Sequence, residues 1–266
     1  MARESGPDFI EALARGLDVL RSFQAGQPVR TLSDLAGVTG LARPTVRRIL
    51  LTLEELGYVR AAERGYALTP RVLELGMAYV NSLSMWDVAR PHMERLVAQT
   101  NESTSMAQLD GGDIVYVARV AVPKIVTLAV NIGTRFPAPP TSMGQVLLAA
   151  LAPDELSATL AEPSRSGITP RWQPTRDELD RQLREVRAKG WALADQDLAL
   201  GIRSIATSVR DGDGKVVAAI NVTVHAAETS VERLTEEHLP RLLRCAADIS
   251  HDWALLGAVP LVVTAP

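Results

Sequence analysis

The chain has 266 residues, 47% of them hydrophobic and 22% charged, with a formal net charge of -3; this excludes a disordered chain and leaves room for two domains. The single cysteine, Cys245, excludes an intrachain disulfide framework and suits a reducing cytoplasm. The N-terminal MARESGPDF lacks the apolar core of a signal peptide, and no run approaches the roughly 20 apolar residues that span a bilayer.

Charge is unevenly spread. Residues 1–70 hold nine arginines, no lysine and eight acids, so any affinity for a polyanion must come from local placement. In chain order, Phe9 to Gln24 predicts a first helix with Asp8 as its cap and Ile10, Leu13, Leu17 and Leu20 as an inner stripe. Gly26-Gln27-Pro28 breaks it. Thr31 can cap a short helix from Leu32 to Gly37, and Gly37 to Gly40 forms a tight turn. A longer helix is expected over Arg43 to Leu56, with Pro44 in its first turn, where a missing N–H costs little. Val46, Ile49, Leu50, Leu53 and Leu56 recur at helical spacing as its buried side. Arg43, Thr45, Arg47, Arg48 and Thr52 fall outside that stripe. Gly57 ends the helix. Tyr58-Val59-Arg60 and Tyr66-Ala67-Leu68 then read as two short strands around Glu63-Arg64-Gly65.

A short helix, a glycine turn, a basic helix and a hairpin with a basic tip make a winged helix-turn-helix, expected to read double-stranded DNA. Arg can take guanine O6 and N7 through two bonds, and Thr can meet a base edge or a thymine methyl. The candidate readers are Arg43, Pro44, Thr45, Arg47 and Arg48, with Arg64 at the wing tip for phosphate or minor groove. Arginines beside an apolar stripe also make an ordinary solvated face; the order of the parts favours DNA.

Thr69-Pro70 starts a helix expected to run from Arg71 to about Ser82. Its stripe, Val72, Leu75, Tyr79 and Leu83, fits an interdomain linker with a dimer contact, or a helix packed only within its own chain; the first is expected. A helix from Asp87 to Gln99 follows. The period then changes to alternation, predicting strands at Ser103 to Leu109, Ile114 to Val120 and Ile125 to Asn131. Thr141 or Ser142 opens a helix to Leu151, and Pro153 opens a second. Thr175 to Lys189 is an amphipathic helix closed by Gly190. Strands at Arg203 to Arg210 and Lys215 to His225 flank the hairpin Asp211-Gly212-Asp213-Gly214. A last helix runs from Glu236 to about Leu256. The fold class is α+β: a winged helix-turn-helix at 1–69, a linker helix at 70–84, an antiparallel sheet with flanking helices at 85–256, and a tail at 257–266.

Hydroxyls and free N–H groups at Thr141-Ser142 form a natural anion site, and equally an ordinary helix cap. Ile202 and Ser204 share one strand face, as do Asn221 and Thr223. Small polar residues there fit a lined cavity or a solvated sheet face. Arg119 and Arg203 could neutralise a carboxylate or serve as structural ion pairs. No enzyme signature emerges. His92, His225, His238 and His251 match no metal-ligand spacing, and there is no G-x-S-x-G elbow or P-loop. Neither cofactor nor metal is expected, and Cys245 reads as an inert core thiol.

The stretches ALARGLDVLRSF, RPTVRRILLTLEELGYV, Asp113-Ile114-Val115-Tyr116-Val117-Ala118-Arg119, Thr141-Ser142-Met143-Gly144 and Gly201-Ile202-Arg203-Ser204-Ile205-Ala206 together resemble the IclR family of bacterial transcription regulators. The resemblance covers roughly Phe9 to Leu256. It is strongest to the branch controlling aromatic-acid breakdown through protocatechuate and β-ketoadipate. It implies a GAF-like domain that binds a small carboxylate effector, and a homodimer or tetramer gripping a palindromic operator. It places the pocket at Thr141, Ser142, Ile202, Ser204, Asn221 and Thr223, with Leu128, Phe136, Met143 and Asp195 as further walls. The chain departs from the family pattern at Gln145, where a basic residue is common. Ala199 replaces an acid that often accompanies Asp197, and Ala42 lacks a capping hydroxyl. The alternative is a GAF-like binding protein or hydrolase without DNA function.

Overall fold

The computed structural model describes residues 6, 8–23, 27–75, 85–123 and 130–258. The chain divides into two compact units, Met1–Leu83 and Ser84–Pro266.

In the first unit, α1 (Glu11–Arg21) precedes β1 (Val29–Arg30), α2 (Leu32–Thr39), α3 (Arg43–Glu55), β2 (Val59–Ala62) and β3 (Gly65–Leu68). Thr31 and Asp34 cap α2 reciprocally, each side chain accepting the other's backbone N–H. The bond holds the Asp34 carboxyl below its usual range, through the Thr31 hydroxyl first. Gly40 closes α2 in the left-handed conformation, φ 68°. Val46, Leu50 and Leu53 of α3 pack with Val19, Leu35 and Val59 into a small core. Gly65 is required: a Cβ there would lie 2.2 Å from the Arg30 carbonyl oxygen, because β3 pairs with β1 as well as β2.

Three expectations need correction here. The first helix starts at Glu11, and Ile10 rather than Asp8 is its N-cap, with no side-chain bond. Ile10, Leu13 and Leu17 are not an inner stripe; they are 65%, 61% and 46% exposed, and Val19 supplies the buried contact. Leu56 is also exposed. Periodicity finds an apolar side of a helix but not what covers it. Beyond the wing, residues 72–75 are helical; the rest of the expected linker helix, Tyr79 included, lies outside the described residues, as does most of the tail.

In the second unit, α4 (Met85–Thr100) leads into β4 (Ser103–Asp110), β5 (Asp113–Val120), β6 (Arg135–Pro137), α5 (Ser142–Ala149), α6 (Pro153–Ala161) and α7 (Arg176–Lys189). Then come β7 (Trp191–Asp195), β8 (Ile202–Arg210), β9 (Val216–His225), a short helix α8 (Val231–Arg233), a π turn (Leu234–His238) and α9 (Leu239–Ala258). The six strands form one antiparallel sheet in the order β6-β5-β4-β9-β8-β7. Strands β6 and β7 were not expected from the alternation. The strand expected at Ile125 to Asn131 falls mostly outside the described residues.

Alternate residues of each strand serve two cores. Met106, Ile205, Ile220 and Val222 pack against α4 and α9. Ala107, Ala192, Ala206 and Ala219 pack with α5 and α7. Close packing on this second face explains Gly144, since a Cβ there would lie 2.0 Å from the Ala138 carbonyl oxygen.

Candidate functional site

In the first unit, Arg43, Pro44, Arg47 and Arg48 are exposed on the first two turns of α3, and Thr45 is half-buried. Pro44 sits at the helix start, where the N-cap Ala42 makes no side-chain bond. Arg64 is exposed at the wing turn. The wing is tied to α3 by the Ala61 backbone N–H, which donates to Glu54 Oε1 at 3.0 Å. Among the described residues, Arg43, Arg47, Arg48, Arg60 and Arg64 have no ion-pair partner. Five guanidiniums on one helix–wing span thus remain available for phosphate and base contacts. Thr52 is spent locally, donating to the Arg48 carbonyl. Leu51, 42% exposed between these polar side chains, was not singled out by its sequence; it is a candidate thymine-methyl contact.

In the second unit, a cavity of about 330 Å³ lies over the inner face of the sheet. That is at the small end of the roughly 300–1,000 Å³ typical of ligand pockets. Its cause is a row of small side chains. Ala194 pairs with Ser204, Ser204 with Thr223, and Thr223 with Ser103. Four neighbouring strands thus present no bulky group at one level. The next row runs Ala192, Ala206, Asn221, Ser105 and Arg119.

The polar groups of these rows hold one another. Asn221 Oδ1 accepts from the Ser105 backbone N–H at 3.1 Å, and its Nδ2 donates to Thr223 Oγ1 at 3.0 Å. The Ser142 and Ser204 hydroxyls are 2.8 Å apart. Thr141 caps α5, its hydroxyl accepting from the Gly144 N–H at 3.1 Å. Tyr116 and Phe136 form an aromatic wall, edge to face with centroids 5.5 Å apart; burial pushes the Tyr116 phenol well above its ordinary value.

Arg119 Nη1 donates to Ser105 Oγ at 3.0 Å. Among the described residues no carboxylate pairs with it. Burial lowers its pKa, partly offset by Tyr116. Across the cavity, after β7, the Asp197 carboxyl is pushed up to about 6. Burial is the main cause and the Asp195 charge adds to it, against a backbone hydrogen bond at Asp195 and the Arg171 charge.

Of the pocket residues expected, Phe136, Thr141, Ser142, Met143, Ile202, Ser204, Asn221 and Thr223 line this cavity. Asp195 does not. Strand alternation turns it away while Ala194 faces in, and its carboxylate accepts Arg203 Nε at 2.8 Å and Nη2 at 3.0 Å. Arg203, which also donates to the Thr229 carbonyl, is therefore a structural ion pair. Leu128 lies outside the described residues. Ser103, Tyr116 and Leu198 line the cavity without having been expected; the alternating Ser103-Thr104-Ser105 was the available signal. Gln145 points elsewhere, donating to the Pro139 carbonyl and accepting from Gln182.

A winged helix-turn-helix with unpaired arginines and a separate sheet domain enclosing a small polar-floored cavity together define a ligand-responsive DNA-binding regulator. The family model described as the IclR helix-turn-helix domain matches residues 12–63. That described as the bacterial transcriptional regulator IclR C-terminal matches residues 77–251. The Pca regulon regulatory protein of Pseudomonas putida is 39% identical over 246 residues, covering 92% of this chain and 84% of that protein. A transcriptional regulator structure from Rhodococcus sp. RHA1 is 49% identical with a TM-score of 0.82, covering 93% of this chain and 100% of that one. An IclR homolog from Microbacterium hydrocarbonoxydans, solved with 4-hydroxybenzoate, is 26% identical with a TM-score of 0.78, covering 92% and 99%.

The chain belongs to the IclR family of bacterial transcriptional regulators. It is a DNA-binding regulator and not an enzyme. Among the described residues no helix is long and apolar enough to cross a membrane, and no cluster of His, Cys, Asp and Glu could hold a metal ion.

Proposed function

We propose that this regulator works in the cytoplasm as a homodimer, senses a small aromatic carboxylate in the sheet-domain cavity, and thereby controls genes of aromatic-acid breakdown. One observation carries the ligand class: Arg119 is a half-buried guanidinium beside an aromatic wall, without a carboxylate partner among the described residues. Holding a cation there is costly, and an anionic ligand offsets that cost. Tyr116 and Phe136 suit a planar ring, and Ser142 and Ser204 offer hydroxyls to its substituents. The names of the similar proteins, a Pca regulon regulator and a homolog solved with 4-hydroxybenzoate, point to the same chemistry.

The expected test is a melting-temperature titration with protocatechuate, 4-hydroxybenzoate and β-ketoadipate. Protocatechuate or 4-hydroxybenzoate should stabilise the protein as RT ln(1 + [L]/Kd), and Arg119→Met should remove the shift. If neither aromatic acid stabilises, or only the aliphatic dicarboxylate β-ketoadipate does, the ligand class is overturned while the regulator is left intact. A ligand can change DNA affinity only through unequal affinity for two arrangements of the protein. Operator retardation with and without the stabilising acid therefore completes the test.

On the DNA side, Arg43, Pro44, Thr45, Arg47 and Arg48 read the operator, and Arg64 holds phosphate or enters the minor groove. Dimerisation matches two half-sites to two wings. Tyr79 of the linker, the contact expected from the sequence, lies outside the described residues. The exposed stripe Ile10, Leu13 and Leu17 on α1 is a second candidate. Gly16 beside it has open space at the Cβ position, where a neighbouring helix can approach closely. Leu13→Asp should lower the sedimenting mass and the operator affinity together; an unchanged mass moves the interface off α1.

A further inference from the structure

We infer that the cavity is built to admit one carboxylate and to reject a second, with Asp197 as the residue that selects against dicarboxylates. This rests on the proposed binding of an acid at Arg119. The two groups stand on opposite walls. Arg119 is on β5 and Asp197 follows β7, with β4, β9 and β8 between them in the sheet order. Between them the sheet floor is made of small side chains, Ser103, Thr223, Ser204 and Ala194, while Glu102, His225 and Glu228 also line the cavity. A ligand anchored through its carboxylate at Arg119 and lying across this floor turns its far end toward Asp197.

That wall is half-buried and carries negative charge. Asp195, two residues away, disfavours the Asp197 charge further, although its own carboxylate faces away from the cavity and is paired with Arg203. The Arg171 charge only partly offsets it, since Arg171 is exposed and donates to the Gln196 carbonyl. A para hydroxyl on the ligand can donate to the Asp197 carboxylate, a charge-assisted bond. A para carboxylate meets like charge in a partly desolvated place, the repulsive element that specificity needs. A bare ring end gains neither. The ranking that follows is hydroxyl, then hydrogen, then carboxylate at the far end.

The experiment is calorimetric titration of the full chain with 4-hydroxybenzoate, benzoate and terephthalate, three rigid acids differing only at the para position. At pH 8 terephthalate should bind at least about tenfold more weakly than 4-hydroxybenzoate, with benzoate between them. Asp197→Asn should narrow that ratio by strengthening terephthalate while leaving benzoate unchanged. Asp197→Glu, which keeps the charge, should keep the discrimination. Terephthalate binding as tightly as 4-hydroxybenzoate, or a ratio unmoved by Asp197→Asn, overturns the selectivity and leaves the anchor standing. If none of the three binds, or if benzoate binding survives Arg119→Met, the anchor fails and the selectivity with it.

Discussion

The two faces of the sheet are made by the same strands and differ in one respect. On β8 and β9, Ile205, Ile220 and Val222 face α4 and α9, while Ser204, Ala206, Asn221 and Thr223 face the other way. The first face is filled. The second leaves about 330 Å³ empty at one level. A sheet this well anchored on one side can carry a cavity on the other, because the packed face holds the register that keeps the small residues in line. Stability and sensing are thus assigned to alternate residues of one chain segment.

The largest effect should come from hollowing the packed face. Ile220 is fully buried among the α4 and α9 side chains. Ile220→Ala should cost about 2–5 kcal/mol, read as a lower denaturation midpoint. Filling the other face should do the reverse of what it does to a core. Ser204→Leu places a bulky group into the empty row. It should abolish ligand stabilisation and leave basal DNA binding in place. If Ser204→Leu destabilises as much as Ile220→Ala, the two faces are packed alike and the comparison collapses. If it still binds the acid normally, the ligand sits elsewhere.

How much of this was legible beforehand follows from whether the site is local. The DNA-reading span is contiguous from Arg43 to Arg64, so helical period, a proline at the helix start and a hairpin tip reveal it. The cavity is assembled by register across four strands, and only motif pieces such as Thr141-Ser142 and Ser204 could be found. Trp191–Asp195 was missed as a strand because Gly190 read as the end of a helix and nothing more. Without β7 the parity of Asp195 cannot be read, so nothing in the strand pattern corrects the family resemblance, which implies Asp195 in the wall that Ala194 occupies. Leu13 and Leu17 are exposed where an inner stripe is expected, because amphipathicity reports a face, not its partner.

A smaller effect separates the roles within the DNA-reading unit. Arg47→Ala should weaken operator binding and relax preference at one or two base positions. Arg64→Ala should weaken binding to all sequences alike and reduce the salt dependence by about 0.9 in log–log slope, one phosphate's worth. Identical behaviour of the two removes the distinction between base reader and phosphate holder.

The smallest effect expected is on the pH dependence of the unliganded protein, and it returns to the cavity face. Burial raises the folded pKa of Asp197 to about 6 from an ordinary carboxyl value of 3.8, so folding works against its charge. Above pH 6 the folded protein holds a carboxylate it disfavours. As pH falls through about 6 the folded state takes up a proton that the unfolded chain does not yet bind, and stability rises. The gain is complete once the unfolded carboxyl also protonates, near 3.8. Asp195 and Arg171 act on the same group, so the relevant measure is a difference. Melting temperatures of wild type and Asp197→Asn, taken from pH 8 to pH 5, should converge as the pH falls, with Asp197→Asn the more stable at pH 8. Parallel curves would mean that Asp197 is well solvated, and the charged wall opposite Arg119 would lose its desolvated character.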